Sequence, residues 1–287
     1  MGYRNIMEMI MTVLPNRLLA GLALLAGLVA APGSARAAQD YDNCTGFIDS
    51  LPAIISTQGV WCLRKNLGTA ITSGSAIRIT TNNVIIDCND LKIGGLAAGD
   101  DSKAYGINAL NRQNITVRHC NVRGFLEGIR LDGGAGHLVE DNRLDNNLRN
   151  GILVGGDNNL VQRNRVYDTG GAPKETFGIN ANADVIDNTV AGVFSTDFAY
   201  GIFVRGAYKV RNNRIRGLQG DRPVYGISFH SPGSMVDGNH VAVPAGTSGT
   251  GIRGDNSGNG VACSNNVVAG FSIAMDSCVD AGGNTSL

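Results

Sequence analysis

Arg130, Arg205, His230 and Arg253 are the side chains of this sequence whose types best suit chemistry on an acidic substrate. Arginine pairs with carboxylates through a fixed fork of donors, and histidine can accept a proton near neutral pH. β-Elimination uses both kinds of group: a positive charge neutralises a carboxylate while a base removes the proton beside it. In that scheme Arg130, Arg205 and Arg253 are the neutralising candidates. His230 is the candidate base, with Arg205 second. Hydrolysis between sugars would instead need two facing carboxyl groups at a set separation, and no pair of outward acids in the pattern below meets that need. Asp132 and Asp255 could offer oxygens to Ca²⁺, but two carboxylates so far apart make a poor cage. No cofactor is expected, and a metal is left unassigned.

What relates these positions is a repeat. Gly-Ile recurs at Gly106-Ile107, Gly128-Ile129, Gly151-Ile152, Gly178-Ile179, Gly201-Ile202, Gly226-Ile227 and Gly251-Ile252, with Ser272-Ile273 as a degenerate eighth copy. The spacing of 21 to 27 residues marks a solenoid in which each repeat is one coil. A second ladder, Asn-x-aliphatic, keeps phase with it: Asn142, Asn164, Asn188, Asn213, Asn239 and Asn265-Asn266-Val267, with Cys120 in the same slot one coil earlier. Cys88 starts that ladder, with one extra residue before Leu91. Asn suits a corner because its amide can bond the Asn above and below and its backbone tolerates the left-handed region. Short alternating runs such as NITVRHCNV and YGIFVRGAYKV read as strands, and the chain after residue 37 lacks a convincing helical period. The expected fold is all-β: a right-handed parallel β-helix of roughly eight to ten coils, stapled by disulfides, with a cap over 38–70 and the solenoid over 71–287.

If each Ile of the pairs points inward, the next residue points out, and so does the residue two beyond that. The first outward row is Asn108, Arg130, Leu153, Asn180, Phe203, Ser228 and Arg253. The second is Leu110, Asp132, Gly155, Asn182, Arg205, His230 and Asp255. Tyr105, Phe177, Tyr200 and Tyr225 precede the glycines. Asn108, Asp132, Asn180, Asn182, Phe203, Arg253 and Asp255 are therefore candidate substrate-binding residues. Amides and carboxylates bond hydroxyls, rings cover sugar faces, and Arg pairs with acidic groups. Insertions gather at one corner, in Gly94–Ala104, Asp168–Phe177, Ala191–Tyr200 and Leu218–Tyr225, as expected beside a binding surface. The competing reading is a plain solvated face, with the aromatic residues stacked inward. Another outward row, Arg143, Arg165, Arg214 and His240, reads as a solvated face first and an anion-binding rival second. His119 and His137 read as incidental.

Residues 1–37 read as a secretory signal: Arg17, an uncharged run from Leu18 to Ala31, then Ala35-Arg36-Ala37 before the cleavage point. The run is too short to span a bilayer, so no stable membrane insertion is expected after cleavage. Export to the periplasm or beyond follows. The whole chain balances 24 basic against 24 acidic residues. The signal holds three arginines and one glutamate, so its removal leaves a charge of −2, which argues against nucleic acid as the partner. Six cysteines remain. Cys88 and Cys120 fall at equivalent slots of neighbouring coils, ~4.8 Å apart, within disulfide reach. Cys44–Cys62 would then close the cap, and Cys263–Cys278 would staple the last coils.

Stacked Gly-Ile pairs, the Asn ladder, and runs such as NNVIIDCNDLKIGG and NNLVQRNRVYDTGG resemble the right-handed parallel β-helices of the pectin-lyase-like superfamily, in particular its small exported bacterial members. The resemblance covers about residues 70–287. It implies the fold and is poor for activity, since this fold hosts lyases, hydrolases, epimerases and non-catalytic proteins; the partner of polysaccharide type, acidic in one version, is the expectation of the outward strip. It transfers no catalytic residue: the NTD, GHG and RIK segments of polygalacturonase-like hydrolases are missing, as are the WIDH and Arg-x-Pro-x-x-Arg segments of pectate-lyase-like chains and the DPHD segment of alginate epimerases. The expected function is an exported β-helix that binds or acts on polysaccharide, with or without catalysis. The alternative is a lyase that cleaves a uronate glycan by β-elimination. Oligomeric state is not indicated.

Overall fold

The structure is a computed structural model and describes residues 41–254 and 260–287. The expected signal segment lies outside the described residues. The described strands pair in parallel, coil on coil. One sheet holds eleven strands, from Gly46–Ile48 through Ile115–Arg118 and Leu138–Glu140 to Cys278–Asp280. The other eighteen-stranded hydrogen-bonded set runs in two columns, one carrying the Gly-Ile pairs and one following the Asn ladder. Three faces thus surround one core. Residues 41–70, expected as a cap, already contribute strands that pair with the coils above, Gly46–Ile48 against Gly59–Leu63 and Ala53–Ile55 against Ser75–Ile79.

The core follows from stacking like on like. Ile107, Ile129, Ile152, Ile179, Ile202, Ile227 and Ile252 lie in register and are fully buried. The glycine before each Ile is there for space: a Cβ at Gly151 would lie 2.4 Å from Val166 Cγ1 and 2.6 Å from the Gly178 carbonyl oxygen. The chain therefore bends at this point against the aliphatic row of the neighbouring face. The three disulfides are Cys44–Cys62, Cys88–Cys120 and Cys263–Cys278, with Cα separations of 5.9, 4.7 and 5.9 Å.

Buried asparagines run up one corner. From Cys120 to Asn284, each backbone N–H at the slot donates to the side-chain oxygen one coil on: Cys120 to Asn142, Asn142 to Asn164, Asn164 to Asn188, Asn188 to Asn213, Asn213 to Asn239, Asn239 to Asn266, and Asn266 to Asn284. Buried polar groups in apolar surroundings are tolerated because each is satisfied.

Four expectations are corrected here. The ladder passes through Asn266, not Asn265, and the inward aliphatic is Val268 rather than Val267, because Val241 pairs with Val268. The eighth Gly-Ile slot is Ala274-Met275: Ile252 pairs with Met275, while Ile273 is half exposed, shifted by irregular pairing in the strand before it. At the start, Val122 pairs with Ile93 rather than Leu91, since a turn through left-handed Asn89 and Asp90 occupies the extra residues. The ladder asparagines are not themselves left-handed. The residue before each is: His119, Asp141, Arg163, Asp187, Asn212, Gly238 and Asn265 carry φ between 51 and 65°. Two adjacent residues divide the corner, one bending the chain and the other satisfying its interior.

Candidate functional site

The first outward row is in register as Asn108, Arg130, Leu153, Asn180, Phe203, Ser228 and Arg253. Backbone bonds from Gly155, Asn182, Arg205 and His230 to the preceding coil continue the second row above paired Leu110 and Asp132. A third column, Tyr105, Glu127, Asn150, Phe177, Tyr200, Tyr225 and Thr250, runs just before the glycines. Strict alternation would turn this column inward with the Ile row. The bend at glycine places it outside, where Arg130 lies over the Tyr105 ring (4.8 Å) and Arg253 over Tyr225 (5.0 Å).

Two centres result. In the upper one, Phe177, Tyr200 and Tyr225 stack at 4.9 and 5.0 Å between ring centroids. Phe203 packs against Phe177 and Tyr200 at 5.6 and 5.4 Å. Arg205 lies over Phe203 at 5.4 Å, and the His230 ring is 6.4 Å from it. Burial in the stack pushes the Tyr200 hydroxyl up to about 12, so it stays a neutral hydrogen-bonding group. Arg205 and His230 are exposed and occupy consecutive coils. Phe203 and Arg253 are half-buried beside them.

The lower centre is built on Glu127, which is only 4% exposed. Its Oε1 accepts a hydrogen bond from Asn150 Nδ2 at 2.8 Å, and Oε2 lies 3.6 Å from Arg130 Nε. Arg130 Nη2 donates to Asp132 Oδ2 at 2.9 Å. Burial raises the Glu127 pKa; Arg130, the Asn150 bond and Arg149 oppose that rise, and Asp132 adds to it. Glu127 Oε2, Arg130 Nε, Arg149 Nε, Asn150 Oδ1 and Asn108 Oδ1 are all buried without a hydrogen-bond partner. Such a concentration of unsatisfied polar atoms around a perturbed carboxyl is typical of functional sites.

With the coiled architecture and this strip in view, the comparisons with known proteins are direct. The family model described as "Right handed beta helix region" matches residues 56–215. This chain belongs to the right-handed β-helix family. Two crystal structures are similar at a distance. One is Dettilon tailspike protein, 15% identical, covering 83% of this chain and 59% of that chain, with a TM-score of 0.44. The other is the Agl-KA catalytic domain, 11% identical, covering 82% of this chain and 58% of that chain, with a TM-score of 0.37. The chain thus spans less than two thirds of either. No curated protein matches it in sequence.

Within this β-helix, the sequence-derived candidates do not form a single site. Arg205, His230 and Phe203 come together, and Arg253 joins them through Tyr225, two coils above Phe203. Arg130 and Asp132 stand three coils below the Phe203 coil, about 14 Å away at the spacing of stacked strands. Asn108 and Asn180 lie in the row but are buried, and Asn108 Nδ2 donates to Ser75 Oγ at 3.0 Å. Asn182 is half-buried on the second row. Asp255 falls outside the described residues. Among the described residues, no three His, Cys, Asp or Glu side chains are grouped to hold a metal ion.

Sequence reasoning missed Glu127, Asn150, Phe198 and Arg149. The first two occupy a column whose other positions are aromatic apart from Thr250, a signal visible once that column is aligned. Phe198 packs on Tyr200 and Tyr225 from an insertion, where no register applies. Arg149 follows Leu126 in a column continued by buried Thr176, Ala199 and Val224. It lines a hollow of about 420 Å³ with Lys103, Leu126, Leu148, Pro173 and Lys174, roofed by two of the insertions. His137 is buried; its Nδ1 accepts the Ile115 N–H and its Nε2 lies 3.0 Å from the Gly133 carbonyl oxygen. Burial lowers its pKa, and these bonds fit the neutral Nε2–H tautomer. It fills a structural slot at another corner.

Proposed function

We propose that this β-helix binds a polysaccharide along the Gly-Ile face, from the Glu127 centre to the Phe203–His230 centre. The observation that carries the reading is the aromatic stack of Phe177, Tyr200 and Tyr225, in which Phe177 is buried and the two tyrosines are half-buried, flanked by guanidinium groups over Tyr225 and Phe203. Ring faces cover the apolar sides of sugars, and arginine forks take carboxylates or sulfates. The arginines Arg130, Arg205 and Arg253 favour an acidic chain over a neutral one. The accessible candidates, Asp132, Asn182 and His230, supply hydroxyl contacts between them. Export supports an extracellular or periplasmic polysaccharide as partner: the three disulfides suit an oxidising compartment, and among the described residues no helix is long and apolar enough to cross a membrane.

The test is binding of the mature protein to an array of neutral and acidic glycans, with Tyr200→Ala and Arg253→Ala as variants. Each should weaken binding about tenfold, the scale of one lost ring or charge-assisted contact. Wild-type failure to bind any glycan, or variants that bind as well as wild type, would reject the strip.

A second reading is favoured by one observation, the exposed Arg205 and His230 on consecutive coils around Phe203. There β-elimination would use His230, or Arg205, as base, with Arg253 beside Tyr225 neutralising the uronate carboxylate. Unsaturated products absorb in the ultraviolet, so incubation with uronate polysaccharides, with and without Ca²⁺, reads this directly. Activity that survives both Arg205→Ala and His230→Ala would remove this centre from the reaction.

A further inference from the structure

We infer a second, separate site on the Asn-ladder corner: a hollow that binds a dianionic oxyanion, a phosphate group in particular, between Arg143 and Arg165. Several charges on this molecule stack with their opposites. Arg118 sits in register between Asp87 and Glu140 and bonds Asp87 at 2.7 Å. Arg123 pairs in register with Asp145 at 3.1 Å. Arg143 and Arg165 break the pattern, two guanidinium side chains on directly paired residues. Like charges placed so are unfavourable without a counterion.

The surroundings supply one only for Arg143, and at long range. Among the described residues, the Arg165 side chain makes no ion pair, hydrogen bond or ring contact. Arg143 has a 3.7 Å approach to Asp145, which is shared with Arg123, and lies over the Tyr167 ring at 5.1 Å. The next residue up the column is Thr189, which has no charge. Both arginines line an open hollow of about 430 Å³ with His119, Asn121, Asp141 and Arg163, and with Asp90 on its far side.

Arg163 gives the independent observation. It holds the left-handed corner position, at φ 54°, that other coils give to Asp187, Asn212 and Gly238. Arginine is a poor choice for that backbone, and an unfavoured residue kept in such a conformation points to a role. Its guanidinium bonds Asp141 at 2.9 and 2.8 Å and Glu140 at 2.6 Å. Those bonds turn both carboxylates toward Arg163, whose single charge offsets one of the two, and hold them away from Arg143 and Arg165. The unpaired Arg165 fork and the Arg143 fork, held only by a 3.7 Å approach to Asp145, lie one strand spacing apart and suit an anion with three or more acceptor oxygens. The site lies on a different face from the aromatic strip and does not depend on it.

The experiment is calorimetric titration of the mature protein with inorganic phosphate and with glucose 6-phosphate, at low ionic strength. Arg143→Ala and Arg165→Ala should each weaken binding about tenfold or more, the loss expected for a charged hydrogen-bonded contact. Arg214→Ala, in the same column but outside the hollow, should bind as wild type does. Arg165→Glu should abolish binding while leaving the melting temperature unchanged or higher, because it turns a like-charged pair into an opposite one. Tighter binding of glucose 6-phosphate than of phosphate assigns the anion to a sugar ester, and equal or weaker binding assigns it to the free ion. Absence of saturable binding, or equal losses in Arg214→Ala and Arg165→Ala, overturns the proposal.

Discussion

Replacing Asn188 by alanine removes one link from the middle of the buried ladder, and its cost can be worked from the bonds. Asn188 is 1% exposed. Its Oδ1 accepts the Asn164 backbone N–H at 2.9 Å and Asn164 Nδ2 at 3.0 Å. Its Nδ2 donates to the Val161 and Ile186 carbonyl oxygens at 2.9 and 3.0 Å. Not all of these groups are stranded by the change. Asn164 Nδ2 keeps the Val139 and Gln162 carbonyls, and the Ile186 oxygen keeps the Arg163 N–H. The Asn164 N–H and the Val161 oxygen lose their side-chain partner. A stranded buried group costs about 1–3 kcal/mol, so the pair predicts a loss of about 2–6 kcal/mol in urea denaturation followed by far-UV circular dichroism. Asn188→Asp keeps the acceptor for Asn164 but faces two carbonyl oxygens with a carboxylate. A buried carboxyl has its pKa raised, so that variant should gain stability as pH falls and lose it as pH rises, whereas Asn188→Ala should show no such dependence. A loss below about 1 kcal/mol for Asn188→Ala, or identical pH profiles for the two variants, would refute the view that the ladder is held by its amide donors and acceptors.

Glu127→Gln should stabilise the protein at neutral pH, because burial raises the Glu127 pKa. Its contribution is most favourable below the ordinary glutamate value of about 4.3 and is lost as pH rises through the raised folded value, so the variant's advantage in melting temperature should vanish in acid. Replacing Cys88 and Cys120 together by serine opens a link of sequence separation 32, and chain-entropy arguments give a loss of about 3–4 kcal/mol, readable in the same denaturation assay. Phe203→Ala should weaken glycan binding and also free Arg205 and His230 to move, so any lyase rate should fall with it. Unchanged binding and rate would remove Phe203 from the site.

The periodic parts of this molecule were legible because a solenoid converts spacing directly into neighbours. Ile107 through Ile252 had to stack once each repeat made one coil, and the outward rows followed from alternation. Errors appeared where alternation or spacing failed. Adjacent Asn265 and Asn266 left the slot ambiguous, and only the bond from Asn239 to Asn266 decides it. The turn at Asn89-Asp90 moved the inward position to Ile93. The column of Tyr105, Glu127 and Tyr200 lies outside because the glycine after it cannot spare room for a Cβ, a fact of packing that no two-residue period contains.

The sequence alone determined the coil, its aliphatic interior, the Cys88–Cys120 partnership and the rows that face outward, since each depends on a repeat distance along the chain. Tertiary structure decided which of those residues act together. It set Arg130 apart from Arg205 and His230, buried Asn108 and Asn180, joined Phe198 to the aromatic stack from an insertion, and drew Glu127, Asn150 and Arg149 into one desolvated cluster. Burial and electrostatic environment arise from what the neighbouring coils and loops cover, and the covering segments are those whose length does not repeat.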